Sequence, residues 1–325
     1  MDEKIVYLNG SFVPESEAKV SVGDAGFTSG DGVYDVTRTF GHKPFKLREH
    51  TERLFRSLYY TRIDCGLSLN EVEKTTLEVF DKNKHLLGKD DDYALWQIVS
   101  RGTRFIDGSN RPKGRATVTI YCVPINFKEF ARHLIDGVRL VIPSTRRIPP
   151  QCLESKAKIT NKMNHNIALF EARQVDPKCL PLMLDINGNL SETNSANFFF
   201  VLKGMLCTPT DKNVLGGITR STVLPMADDL GIKVVEGDYT PYDLYNAEEA
   251  FLAGTSPTIV PVQSVNGLRI GSKVPGSVTL RLIDAWSKMV NVDIAVQALS
   301  HLDKEEREHL LKIWQEKRTA LTMAA

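Results

Sequence analysis

Ile5-Val6-Tyr7-Leu8, Asn9-Gly10, Ser11-Phe12-Val13-Pro14: the chain opens on two short apolar runs joined by an Asn-Gly pair. Both residues of that pair tolerate the positive φ of a type I′ turn, so the stretch predicts a β-hairpin and an antiparallel start. Residues 33–40 alternate as a strand, turn at Gly41-His42-Lys43-Pro44, and lead into a predicted helix over 48–62 with Leu47, Leu54 and Leu58 at core spacing. Ser68-x-x-Glu71 reads as a capping box that opens a second helix to about residue 87. Strands follow at 93–101 and 115–124. Strands in pairs, with helices grouped between them, predict an α+β fold and not a doubly wound parallel sheet.

The composition shifts after Pro124, at Ile125-Asn126-Phe127-Lys128-Glu129. The expected division is a small α+β domain over 1–124, a linker over 125–133, a larger domain over 134–292 and a helical tail over 293–325. The larger domain reads as a strand at 138–143, a Pro149-Pro150 turn, a helix over 161–174, strands at 180–186 and 197–203, a helix over 219–230, and strands near 232–236 and 249–253. The tail is charged and amphipathic; Leu299, Leu302, Leu310, Leu311 and Trp314 suit a dimer contact or a frayed helix equally.

With 325 residues, 41 Lys+Arg against 40 Asp+Glu, 25% charged and 42% hydrophobic residues, the chain matches an ordinary globular protein, and its balance favours neither nucleic acid nor an anionic membrane. Phe198-Phe199-Phe200-Val201-Leu202, its longest apolar run, has five residues, far fewer than the roughly 20 of a spanning helix. Met1-Asp2-Glu3-Lys4 carries no secretory pattern, which makes the cytoplasm the expected location. The five cysteines stand 27 or more residues apart and the seven histidines are scattered, so no metal site is expected.

Four segments carry chemistry. Gly216-Gly217-Ile218-Thr219-Arg220 is a glycine turn entering a helix, whose free first-turn amides and Thr219 hydroxyl suit a phosphate; it also reads as a plain turn. Gly254-Thr255-Ser256-Pro257 offers two hydroxyls after a strand, or is an ordinary capped loop. Arg53 sits one residue from the core position Leu54, at the domain surface or aimed along an interface. Lys158-Ile159-Thr160-Asn161 presents a lysine that a dry environment would activate, with Lys156 and Lys162 competing. Glu192 lies in a predicted turn before the apolar strand and needs a cationic partner there.

Taken in order, Gly30-Asp31-Gly32-Val33-Tyr34-Asp35, His50-x-x-Arg53-Leu54, Lys158-x-x-Asn161, Glu192-x-x-x-x-Asn197, Gly217-Ile218-Thr219-Arg220 and Gly254-Thr255-Ser256 resemble the fold-type IV (class IV) pyridoxal-phosphate aminotransferases. That resemblance implies a small α/β sandwich and a larger pseudo-barrel domain with the cofactor, pyridoxal 5′-phosphate, between them, normally in a homodimer. It implies that Lys158, thirteen residues before Glu171-Ala172, is the Schiff-base lysine. The resemblance further implies that Glu192 pairs with the pyridinium nitrogen, that Arg53, Ile218, Thr219, Thr255, Ser256 and Asn197 complete the cofactor site, and that kinetics are ping-pong.

The substrate is read from departures. Branched-chain enzymes usually carry Tyr-x-Arg on the strand that here reads Tyr93-Ala94-Leu95-Trp96-Gln97-Ile98, and the Arg-x-His of D-amino-acid enzymes is replaced by Arg104-Phe105-Ile106. Arg146-Arg147-Ile148-Pro149-Pro150 looks most like the (R)-amine transaminases, and Gly30-Asp31-Gly32 like the D-amino-acid group. The expectation is therefore transfer from an (R)-primary amine or D-amino acid to a 2-keto acid, with Tyr34 at the substrate and Arg38 or Arg104 on a carboxylate. The alternative is a branched-chain L-amino-acid aminotransferase; further alternatives are an aminodeoxychorismate lyase and a non-catalytic homologue.

Overall fold

The computed structural model describes residues 3–103 and 114–322. It divides into two compact units: Met1–Ile125 with Lys156–Lys162, and Asn126–Ser155 with Met163–Ala325. The fold is α+β, as the pairing of strands predicts.

In the first unit, β1 (Ile5–Leu8) and β2 (Ser11–Pro14) form the hairpin, with Asn9 at φ 49° and Gly10 at φ 98°. They join β3 (Gly32–Phe40), β4 (Lys43–Pro44), β5 (Tyr93–Ser100) and β6 (Thr117–Pro124) in one sheet of order β2-β1-β6-β5-β3-β4. Helices Leu47–Thr61 and Leu69–Asn83 pack on one face, where Val33, Leu54, Leu58, Val72, Val79, Leu95 and Ile120 are buried. The capping box forms: the Glu71 amide donates to Ser68 Oγ and the Ser68 amide to Glu71 Oε2. The second helix stops at Asn83, and a 3-10 turn over Lys84–Leu86 takes up the remainder of the predicted span.

The second unit contains β7 (Val138–Val141), β8 (Leu180–Leu184), β9 (Leu190–Thr193), β10 (Asn197–Leu202), β11 (Met205–Pro209), β12 (Val234–Gly237), β13 (Glu249–Gly254), β14 (Thr258–Val265) and β15 (Leu268–Arg269). Their order is β12-β11-β10-β13-β14-β7-β8-β9, and β9 also pairs back onto β10, which closes a six-stranded barrel through the single pair Asn197↔Glu192. Closure leaves these six strands without a free edge, while β11 and β12 extend the sheet from β10 and β15 pairs with β14. Phe198 and Phe200 join Leu182, Leu184, Leu252 and Val262 in its core, while Phe199 stacks on Phe251 with centroids 5.0 Å apart. Each fully buried Phe contributes roughly 1.5–3 kcal/mol.

Three expectations change. Residues 156–162 belong with the first unit, not the larger domain, because backbone bonds tie them to β3. The expected linker holds helix Phe127–Ala131 and the start of helix His133–Asp136, inside the second unit. Among the described residues of the tail, helices Ile294–Ser300 and Lys304–Thr322 bury Leu299, Leu310 and Trp314, so these three side chains are taken up within the second unit. Among the described residues no helix is long and apolar enough to cross a membrane.

Candidate active site

Lys158 is pinned through its backbone. Its carbonyl accepts from the Tyr34 amide at 2.9 Å, its amide donates to Ser57 Oγ at 3.0 Å, and the Thr160 amide donates to the Gly32 carbonyl at 2.9 Å. A Cβ on Gly32 would lie 3.1 Å from Thr160 Oγ1 and 2.9 Å from the Val99 carbonyl, so the segment docks this closely only because residue 32 has no side chain. Lys158 Nζ then lies 4.6 Å from the centroid of the Tyr34 ring. Lys156, one of its competitors, is exposed.

Alternation sends Asp35 to the opposite face of β3 from Tyr34, under helix Leu47–Thr61. There Arg53 donates through Nε and Nη2 to both Asp35 oxygens at 2.8 Å, and His50 Nδ1 lies 2.7 Å from Asp35 Oδ1. All three are buried. Burial by itself would raise the Asp35 carboxyl, but the charges of Arg53 and His50 hold it well below the usual carboxylate range. Burial pushes His50 down despite that carboxylate. Arg53 is thus no surface arginine. Arg38, expected on a carboxylate, is only 3% exposed: its Nε donates to the Thr39 carbonyl, its guanidinium lies 3.9 Å over Phe40, and burial lowers it to about 10. Its Nη2 lies 3.8 Å from Asp92 Oδ2. Arg104 lies outside the described residues.

Glu192 lies in strand β9, where a turn is predicted, and is 4% exposed. Its partner is Arg147, whose Nε donates to Oε1 at 3.1 Å; Oε2 accepts from Asn197 Nδ2 at 3.1 Å and from the Leu215 amide at 3.0 Å. Asn197 also donates to the Leu215 carbonyl at 2.9 Å. A Cβ on Gly217 would fall 2.0 Å from Asn197 Oδ1, so the start of helix Ile218–Asp229 is pressed against the residue that holds Glu192. That helix has no side-chain cap, and Thr219 in its first turn is buried. Across the barrel rim, Asn197 pairs with Ala253, and Gly254 closes on Ala196, where an added Cβ would lie 3.2 Å away. Thr255 and Ser256 follow, half-buried. One end of the second unit therefore collects Glu192, Asn197, Ile218, Thr219, Thr255 and Ser256.

Sequence reasoning missed the pairing roles of Arg147 and Asp35. The signal for Asp35 was a carboxylate at an inward position of an alternating strand, which demands a cation; the signal for Arg147 was the same demand made by Glu192. Glu171 was noted only for its spacing, yet it accepts from Ser144 Oγ at 2.7 Å, Thr145 Oγ1 at 2.5 Å and the Thr145 amide at 3.1 Å. Those bonds, the Thr145 hydroxyl first, hold its carboxyl down to about 2.

Residues 32–265 match the family model for amino-transferase class IV. A Methanocaldococcus jannaschii protein, provisionally named a branched-chain-amino-acid aminotransferase, is 36% identical over 280 residues, 85% of this chain and 93% of that one. The crystal structure of the Escherichia coli branched-chain amino acid aminotransferase superposes with a TM-score of 0.81 at 27% identity, covering 89% of this chain and 95% of the other. A further branched-chain amino acid aminotransferase, solved in complex with N-(5′-phosphopyridoxyl)-L-glutamate, gives a TM-score of 0.79 at 28% identity over 89% and 95% of the two chains.

Proposed function

The chain belongs to the class IV aminotransferases, pyridoxal 5′-phosphate enzymes, and from that premise we propose that it transfers the amino group of branched-chain L-amino acids to a 2-keto acid. The observation that carries this reading is identity of 36% along 85% of the chain with a relative named for that activity. It replaces the (R)-amine and D-amino-acid expectation. The motif that favoured (R)-amines, Arg146-Arg147-Ile148-Pro149-Pro150, turns Arg147 onto Glu192, so its chemistry serves a carboxylate of this chain.

The residues fit the cofactor. A phosphate dianion needs oriented donors, and an uncapped helix start with Thr219 in its first turn supplies them, with Thr255 following the strand end at Gly254 that packs on Ala196. A ring nitrogen that must stay protonated needs an acceptor that cannot drift, and three donors fix Glu192. Bound there, the cofactor supplies an electron sink for the electrons of the substrate Cα–H bond. Lys158 carries it, and its Nζ moves the proton to and from Cα. Glu192 keeps the ring proton. Ile218 and Thr219 amides, Thr255, Ser256 and Arg53 hold the phosphate, Arg53 with its charge balanced by Asp35. Assembly as a homodimer is part of the same proposal.

Assays of the cofactor-loaded enzyme with L-leucine, L-isoleucine, L-valine, D-alanine and both enantiomers of 1-phenylethylamine test it, with pyruvate and 2-oxoglutarate as acceptors. The branched L-amino acids are expected to turn over. Turnover confined to D-alanine or the (R)-amine would overturn the proposal.

A further inference from the structure

The segment that carries Lys158 rests on two supports, both in the first unit. One is helix Leu47–Thr61, where Ser57 Oγ accepts from the Lys158 amide at 3.0 Å. The other is the Gly30-Asp31-Gly32 turn: the Thr160 amide donates to the Gly32 carbonyl at 2.9 Å, and the Thr160 hydroxyl is shared between the carbonyls of Gly30 and Gly32 at 3.2 and 3.1 Å. Gly30 stands at φ 65°, and a Cβ there would come 3.1 Å from that of Asn161, so turn and segment touch at both glycines. The gap between the two supports decides where the lysine amine points.

Arg101, directly after β5, fastens one support to the other. Its Nε and Nη2 donate to Asp31 Oδ2 and Oδ1 at 2.7 and 3.0 Å, its Nη1 and Nη2 donate to the carbonyls of Arg62 and Thr61 at 3.0 and 2.8 Å, and its amide donates to the Asp31 carbonyl at 3.1 Å. Thr61 ends the helix, where carbonyls lack a partner further along it. A planar guanidinium meets a carboxylate edge-on and still reaches two carbonyls; an ammonium has no such fork. The bonds form a closed circuit from Asp31 through Arg101 to the helix end, one turn back to Ser57, across to Lys158 and Thr160, and home through Gly32. With side chains 29% and 22% exposed, Arg101 and Asp31 add little to global stability. Their place in the circuit is what distinguishes them.

We propose that Arg101 and Asp31 are positioning residues for Lys158: they set the gap between its two supports and so the aim of its amine. The proposal rests on Lys158 as the reacting amine. Proton transfer tolerates little misplacement, and an error of about 1 Å costs on the order of a hundredfold in rate.

The test compares Arg101→Gln, Arg101→Lys and Asp31→Asn, all cofactor-loaded, with Arg48→Gln, which removes an arginine bonded to Glu52, Asn70 and Glu73 at the other end of the same helix. Amide hydrogen exchange is read over residues 156–162, where the Lys158 and Thr160 amides report the two supports. In Arg101→Gln and Asp31→Asn that exchange should quicken roughly tenfold or more and kcat should fall by a similar factor, while KM for the amino donor moves less than about threefold. Arg101→Lys, charged but unforked, should show the same changes more weakly, and Arg48→Gln none of them. The melting temperature should shift no more in the Arg101 and Asp31 variants than in Arg48→Gln. Unchanged exchange over 156–162, or faster exchange there with kcat unaltered, overturns the proposal. So does exchange that quickens throughout the first unit, which is what a merely structural role would give. Should Arg101→Gln not fold, Asp31→Asn decides alone. Borohydride reduction and peptide mapping check the premise separately: a label on another lysine overturns the role of Lys158 itself, whatever the exchange shows.

Discussion

Arg147 donates through Nε to Oε1 of Glu192 at 3.1 Å, and the two side chains are 9% and 6% exposed. A buried ion pair gains its Coulomb energy only by giving up hydration, and losing one partner leaves the other charge buried alone, at about 3–5 kcal/mol. Arg147→Met should therefore destabilise the protein by that order, and Glu192→Gln, which sets an amide NH2 against the donors Arg147, Asn197 or Leu215, by about 1–3 kcal/mol. In the double mutant the costs should fall short of their sum by more than about 1 kcal/mol. Urea denaturation of the four proteins measures this, and strict additivity would show the two side chains to be independent.

Replacing Lys158 by Ala removes both the amine that carries the cofactor and the group that moves the Cα proton. Turnover should fall by many orders of magnitude, while Lys156→Ala and Lys162→Ala remain active. Single-turnover spectroscopy with an amino donor distinguishes the three, and an active Lys158→Ala would shift the role to a neighbour.

Arg53→Ala should act twice, since Arg53 is bonded to Asp35 as well as assigned to phosphate. Cofactor affinity should drop roughly ten- to a hundredfold from the lost charge-assisted contact, and stability should drop too, because Asp35 keeps His50 and the Val36 amide but loses the guanidinium that meets both of its oxygens. Asp35→Asn, titrated with cofactor, should reproduce part of the affinity loss by releasing the guanidinium. Unaltered affinity in Asp35→Asn would show that Arg53 is held in place without it.

Gly217 has φ −67°, which any residue adopts, so its need for glycine comes only from contact: a Cβ would lie 2.0 Å from Asn197 Oδ1. Gly217→Ala should displace Asn197, loosen Glu192 and weaken cofactor binding. Gly216→Ala, whose Cβ would meet nothing within 4 Å, should leave binding unchanged. Equal cofactor affinity in the two variants would refute the contact argument.

The Glu171 carboxyl, ordinarily near 4.5, is held at about 2 by Thr145 and Ser144. A depressed carboxylate stabilises the fold fully above its unfolded value and loses that contribution as pH falls toward its folded one. Thermal stability should thus decline between about pH 4.5 and 2, and more gently in Glu171→Gln. Parallel melting curves against pH for the two proteins would exclude Glu171 as a source of the decline.

What the sequence made legible was local. The Asn9-Gly10 turn, the Ser68–Glu71 box and the alternation of β3 each announce themselves within ten residues, because dihedral preference and burial period act at that range. Glu192 did not. Its strand, Leu190–Thr193, is four residues long with three polar positions, and it exists because Asn197 pairs back on Glu192 and Leu182 on Thr193. The attachment of Lys158 to β3 spans more than a hundred residues of chain, and the Arg147–Glu192 pair spans 45, so neither leaves a periodic trace. Family motifs located these residues; they did not state which partners hold them.

The return of residues 156–162 to the first unit has a consequence for how this chain can be taken apart. A fragment ending at residue 125 would keep every strand of the six-stranded sheet yet lose the edge that satisfies the Tyr34 amide, and with it the lysine. A fragment starting at 126 would carry that lysine on a tether with its backbone partners gone. The two units are stitched together covalently three times over, by chain that leaves, comes back and leaves again. Neither can be swapped, inherited or engineered as a self-sufficient module, and recombination between relatives of this chain should tolerate crossovers beyond residue 163 far better than between 125 and 156.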